Sequence, residues 1–356
     1  MVVPITRSYA SLSFGSSPES WFCGSIGSID IVLYSALFVK PPHHPVYSIF
    51  SMKLVVTHAS PDLDAITSVW LIKRFLPGWE NAELKFVPAG ERISNVKFQM
   101  SNFKNPIERI GEDEVIHVDT GLGPLDHHQT ASDVVSATSL TWEYVKRVQS
   151  SKFRVQSEET KRVKDQEEAI ERMVKVVVEI DHFKEVFWKD PLADYHEFSL
   201  LEILDGLKLQ KPNQDNYYVD FCIECLDAIL HDFENRIWAE KEIAQNGKKF
   251  ATRFGQGIGF ETLNDSVIKL AQKMGYMLVV RKDPRKGYTR IKARPGDEKQ
   301  DIDLTLVYEK LKKMDPKATW FLHISKKMLL NGTTKNPKMI PTQLSLEQII
   351  QVLKGI

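Results

Sequence analysis

Residues Met52–Ser68 read MKLVVTHASPDLDAITS. Lys53–His58 (KLVVTH) is a short apolar run rich in β-branched residues, the pattern of a buried strand. Asp64–Phe75 (DAITSVWLIKRF) carries apolar residues at helical spacing and stops at Pro77-Gly78. Between strand and helix lie His58, Asp62 and Asp64. In open α/β sheets, ligands bind beyond the carboxyl ends of strands. This turn therefore predicts both the architecture and the edge where chemistry belongs.

Working outward, Glu83–Pro88 (ELKFVP) predicts a second strand and Glu114–Thr120 (EVIHVDT) a third, followed by the turn GLGP. Ala137–Val148 is helical. Glu158–Glu179 is a long amphipathic helix with Ile170, Met173, Val174 and Val177 on one face. Alternating strands and helices predict an α/β fold, with a mainly parallel sheet and helices on both faces. Asp205–Asn216 predicts a loop or linker, and Tyr217–Asn246 another long helix. A smaller α+β unit begins near Lys249, with strands at Tyr276–Lys282, Thr289–Pro295 and Trp320–Ser325. Its last helix, Ser345–Lys354, starts with a Ser345/Gln348 capping box. The expected division is a leader (1–51), a metal-binding catalytic domain (52–195), a linker with connecting helix (196–248) and a substrate-binding domain (249–356).

The leader is rich in Ser, Gly, Pro and aromatics, with few charges. It reads as a disordered tail or as sequence upstream of the true start at Met52; an organellar targeting segment is the competing reading. Its PPHHP (Pro41–Pro45) is assigned nothing. Lys+Arg and Asp+Glu both number 47 in 356 residues, so no global basic field argues for nucleic-acid wrapping, although a local groove remains open. Three cysteines are too few for a disulfide scaffold, making a reducing cytoplasm the default expectation. The longest apolar run, Ile31–Val39, is about half of the roughly 18–20 residues that a spanning helix needs. Cys222 and Cys225 have CxxC spacing inside a helix without a second pair, and fit its buried face beside Ile229 better than a zinc site.

Asp119 ends the third predicted strand, Asp126-His127-His128 follow within one loop, and Asp181-His182 close a later apolar run. Asp62 alone is explained as a helix cap, and a lone His-His pair as a surface feature. Gathered at one sheet edge, these carboxylates would repel and desolvate one another. Two divalent cations resolve this, and such pairs activate a water and clamp displacement at phosphorus. The donors are oxygen and nitrogen without sulfur, which favours Mn or Mg; the histidines favour Mn.

THASPDLDAITS, VDT, DHHQ and EIDHF resemble the four ordered motifs of the DHH phosphoesterases, over roughly Met52–Asp190. That family includes RecJ-type exonucleases, oligoribonucleases, cyclic-dinucleotide phosphodiesterases and family II pyrophosphatases. The resemblance implies His58, Asp62 and Asp119 as ligands of one metal. It implies Asp64, Asp119, His127 and Asp181 as ligands of the other, with Asp119 bridging. His128 would contact the scissile phosphate while Asp126 orients the histidines. No role transfers to His182, which reads as solvated or supporting. The implied reaction is attack on phosphorus by a two-metal-activated hydroxide. The second half lacks both a GGGH-type motif and the pyrophosphatase basic motif. It loosely resembles the melanocyte-proliferating-gene-type exonuclease branch in element order, although that branch has a different first motif.

Arg281–Arg294 (RKDPRKGYTRIKAR), with seven Lys/Arg and one Tyr, suits a nucleic-acid backbone groove, while a hairpin with a charged tip is the plainer reading. His323, Lys326 and Lys327, at the end of a predicted strand, would grip a phosphate together with Arg290; ordinary surface lysines are the plainer reading. The expected function is metal-dependent hydrolysis of phosphodiesters at oligonucleotide or single-stranded nucleic-acid ends. Pyrophosphate hydrolysis is the alternative, and a non-catalytic nucleotide-binding regulator a third. No membrane partner is expected.

Overall fold

The computed structural model describes residues 51–93, 105–150, 157–296, 301–333, 336 and 338–355. The leader reading, apart from its last residue, lies outside them. The chain is a mixed α/β protein with two sheets. The first is built from β1 (Lys53–His58), β2 (Glu83–Val87), β3 (Ile107–Ile110) and β4 (Asp113–His117), with α1 (Leu63–Phe75) between β1 and β2. Its order is β2-β1-β4-β3. β1 pairs in parallel with β2 and β4, while β3 is antiparallel to β4. The register sets His58 opposite Val87 and Val56 opposite His117, so β1, β2 and β4 present their carboxyl ends at one edge.

Then follow α2 (Ala137–Ser150), α3 (Ser157–Asp181), α4 (Leu200–Gln210) and α5 (Asp215–Asn246). α1 is buried continuously from Leu63 to Ile72, so it is a central helix rather than an amphipathic surface one. It packs with residues of α2, α3 and α5, and with Val55, Ile116 and Val118, in the largest core. Trp70 Nε1 and Arg74 both donate to Asp227 of α5, anchoring α1 along its length. The alternate strand residues Leu54, Val56, Val87 and Val115 form a separate cluster on the opposite face. Among the described residues no helix joins that cluster, which corrects the expectation of helices on both faces.

Two thirds of the expected Asp205–Asn216 loop is helix: α4 runs through Asp205–Gln210 and α5 begins at Asp215. Ser199 caps it by accepting from the Glu202 N–H, and the buried Leu204 anchors it, which offsets the cost of Gly206 in its interior. The predicted third strand ends at His117, so Val118-Asp119-Thr120 is loop.

The second sheet comprises β5 (Lys248–Thr252), β6 (Gly255–Glu261), β7 (Leu278–Lys282), β8 (Thr289–Ala293), β9 (Phe321–Leu322) and β10 (Met328–Asn331), in the order β5-β6-β7-β8-β10-β9. Only β6–β7 is parallel, across α6 (Ser266–Lys273). α7 (Thr305–Met314) and α8 (Leu346–Lys354) complete its core, and α8 has the predicted capping box. Trp320–Ser325 contributes only the two-residue β9. Cys222 is buried in the first core, as its helical position implies, whereas Cys225, one turn on, is only half-buried and lies outside that core. No helix among the described residues is long and apolar enough to cross a membrane.

Candidate metal centre

The carboxyl edge of the first sheet collects the acidic and imidazole side chains. His58 closes β1. Its Nδ1 lies 3.0 Å from the Ala59 carbonyl, which assigns the proton to Nδ1 and turns Nε2 toward Asp119 Oδ2 (3.3 Å) and Asp62 Oδ2 (3.8 Å). A histidine whose outer nitrogen is tied to a carbonyl is oriented as metal ligands are. Asp62 does both things its sequence position allowed. Oδ1 caps α1 by accepting from the Ala65 N–H at 2.9 Å, and Oδ2 faces His58.

Asp119 sits just beyond β4 at φ 51°, in the left-handed region, and is buried. Leu122, at φ 52°, is in the left-handed region as well. The two Asp119 oxygens face different histidines: Oδ2 faces His58, and Oδ1 lies 3.5 Å from His127 Nε2. Oδ1 is buried without a hydrogen-bond partner, as is Asp181 Oδ2 at the end of α3, 3.6 Å from the same His127 nitrogen. Two ligand atoms about 2.1 Å from one ion stand roughly 3.0–3.5 Å apart, so these spacings suit a bound cation. The close groups are His58, Asp62 and Asp119; Asp119, His127 and His128; and His127, Asp181 and His182.

Asp64 is buried and more fully occupied. Its carboxylate accepts from Ser136 Oγ (2.7 Å), Ala137 N–H (2.8 Å) and Thr138 N–H (2.9 Å), closing the N-terminus of α2. Its Oδ2 still lies 3.9 Å from His127 Nε2. Asp126 accepts from the Leu122 N–H through Oδ2 (2.7 Å). Through Oδ1 it accepts from the His128 N–H (3.0 Å) and faces His128 Nδ1 (2.7 Å). His128 is thereby held by Nδ1, with its ring largely exposed.

The electrostatics are those of a site that a cation would relieve. Burial lifts the Asp119 carboxyl to about 6, with repulsion from Asp64 and Asp62 adding to it against the pull of His58. Burial, then the charges of Asp64 and Asp62, lift Asp181 to about 7. Burial also raises Asp64, against its bonds from Ser136 and Thr138. Burial pulls the His58 imidazole down, yet its bonds to Asp119 and Ala59 and the neighbouring carboxylates carry it up to about 9. In His128 the Asp126 bond and the charges of Asp126, Asp119 and Asp181 likewise outweigh burial and raise it.

His182 was assigned no role by its sequence position. It joins the cluster, with Nε2 3.0 Å from the Val135 carbonyl, so it packs beside Asp181 as a fixed support. Missed altogether were Ser136, and the set Arg92, Glu108 and His117. Arg92 follows β2, and the parallel pairing that brings it to the site edge was the available signal. Arg290, His323, Lys326 and Lys327 all belong to the second sheet and its loops. Arg290 pairs with Asp265, Lys326 with Asp303 (2.9 Å) and Lys327 with Asp301, while His323 Nδ1 meets Ser325 Oγ at 2.8 Å. None of these polar contacts reaches the carboxyl edge of the first sheet.

No family profile matches the chain, and no curated protein matches it. A solved DHH-domain structure, described as belonging to a family of ribosomal proteins, is similar at 10% identity. The match covers 85% of this chain and 86% of that one, with a TM-score of 0.27. A superposition this loose adds nothing to the case for fold or function.

Proposed function

We propose that the chain is a divalent-metal-dependent phosphoester hydrolase of the DHH type. The carrying observation is Asp119, whose two oxygens address two separate histidine-carboxylate groups while Oδ1 has no protein partner. Burying such a carboxylate without a counter-charge is costly, and a cation on each side removes the cost. His58, Asp62 and Asp119 would hold one ion, and Asp64, Asp119, His127 and Asp181 the other. Mn or Mg suits these donors. Bound there, the ions supply a water of lowered pKa and neutralise phosphoryl charge. The chain's own part is to hold this edge rigid: Ala59 fixes the His58 ring, the α2 terminus fixes Asp64, and Val135 fixes His182.

His128 would stabilise negative charge on the phosphoryl oxygens through Nε2, because Nδ1 is committed to Asp126. The Asp126 carboxylate beside Nδ1 favours the cationic form that such a donor needs. The substrate class we infer is the end of a short or single-stranded oligonucleotide. Arg290, His323, Lys326 and Lys327 are the proposed phosphate contacts, each exchanging its present partner for substrate. The test uses the full chain with Mn, end-labelled RNA and DNA oligonucleotides, pyrophosphate in parallel, and an Asp119→Ala control. Mononucleotide release that vanishes in the control supports the reading. Phosphate release from pyrophosphate alone moves the substrate to the anhydride class. Inactivity on all three removes the proposal.

A further inference from the structure

Beside the metal cluster lies a second buried polar network. Glu108 on β3 and His117 at the end of β4 face each other, His117 Nδ1 to Glu108 Oε1 at 3.1 Å. The Ile93 N–H donates to His117 Nε2 at 3.3 Å, so the ring carries its proton on Nδ1 and gives it to Glu108. Arg92, in the segment after β2, pairs with the same Glu108 oxygen. Its other terminal nitrogen donates to the Gly121 carbonyl at 2.7 Å. The neighbouring backbone is tied to the same turn: Thr120 Oγ1 donates to the Glu91 carbonyl and accepts from the Gly90 N–H.

The Arg92 side chain lies against this turn at its two glycines. A Cβ at Gly121, where φ is 74°, would stand 2.4 Å from Arg92 Cγ, and one at Gly123 would stand 2.9 Å from its terminal nitrogen. That turn starts at Asp119 and closes with the Asp119 N–H donating to the Leu125 carbonyl at 3.0 Å. Inside it, Leu122 N–H holds Asp126 Oδ2, and Asp126 Oδ1 holds His128.

We propose that Arg92 is a positioning residue: braced by Glu108, it holds the Asp119–Asp126 turn in the shape that lets Asp126 orient His128. The proposal rests on the reading that His128 meets the substrate phosphate. Arg92 touches no reacting atom. It acts by limiting how far the turn relaxes, and a planar, two-armed cation does this where a lysine's single ammonium reaches one partner.

The test uses the full chain. Arg92→Gln alone strands the Glu108 charge in a buried site, so the informative variant is Arg92→Gln with Glu108→Gln, beside Arg92→Lys. Hydrogen exchange of the metal-free protein is read over residues 118–129, with α1 as control. On the best substrate found, kcat, KM and bound Mn are read separately. In the double variant, exchange over 118–129 should quicken at least about tenfold while α1 is unchanged. kcat should fall about 10–100-fold, the usual scale for a supporting partner, with KM and bound Mn within about twofold. Arg92→Lys should fall between. Unchanged exchange over 118–129 overturns the proposal, as does quickened exchange with an unchanged kcat. If the wild-type chain hydrolyses no phosphoester, the proposed function has failed, and exchange alone then judges the brace.

Discussion

Asp119 turns Oδ2 to within 3.3 Å of His58 Nε2, and it does so from a left-handed backbone conformation 61 residues away in the chain. A side chain held this way, buried and incompletely hydrogen-bonded, is expensive in the metal-free protein, and the first predictions test that expense.

Asp119→Ala should abolish phosphoester hydrolysis and lower bound Mn, measured by elemental analysis after gel filtration. A variant that keeps its full Mn would remove the bridging assignment.

Asp181 gives a pH-dependent signature in the metal-free protein. Its folded-state pKa, about 7, lies above the ordinary carboxylate value of 3.8. The folded state therefore binds more protons than the unfolded one. The stabilising contribution is full below about pH 4 and is lost as pH rises through 7. Asp181→Asn should accordingly match wild type near pH 4 and exceed it by about 1–3 kcal/mol at pH 8 without metal. With saturating Mn the order should reverse, because only the wild type gains the binding energy. Urea titrations at both pH values, with and without EDTA, read this directly. An Asn variant less stable than wild type at pH 8 in EDTA would contradict it.

His128→Ala should leave Mn bound and lower kcat by about 10²–10³-fold, the scale of removing one charge-stabilising donor. Loss of metal instead would make His128 a ligand.

Ser136→Ala removes the 2.7 Å hydroxyl donor to Asp64 and leaves its two backbone donors. Thermal unfolding should show a loss of about 1.5–3 kcal/mol, the scale of one hydrogen bond to a charged group.

Cys222 should resist iodoacetamide at pH 8 in the native protein and react fully in denaturant, because burial pushes its thiol up to about 12. Rapid native alkylation at Cys222 itself, located by peptide mass spectrometry, would refute its core packing.

Much was legible in the linear pattern because the physics there is local. Lys53–His58 became β1 with the predicted bounds, and Glu83–Val87 and Ala137–Ser150 followed closely, since periodicity and stop residues act within a few positions. The Ser345/Gln348 capping box was readable for the same reason. The motif residues His58, Asp119, His127 and Asp181 could be named as one group from their order and from where they follow or close apolar runs.

What the linear pattern left open depends on partners distant in the chain. Asp205–Gln210 reads as loop by composition, yet burial of Leu204 against the first core makes it helix. β3 and β6 lack a strong pattern of their own and form by pairing with β4 and β7. Asp64 presents itself as one more ligand in sequence, and folding gives it a second task at the N-terminus of α2, 72 residues on. Arg290, Lys326 and Lys327 look like free cations until folding brings Asp265, Asp303 and Asp301 to them. Arg92 is one basic residue among many until parallel pairing of β2, β1 and β4 lays it across Gly121. The chain order alone specifies which donors exist and which strands carry them. Which buried oxygens stay unpaired, and hence where a cation could be held, follows from long-range contacts that satisfy some polar groups and bury others without partners.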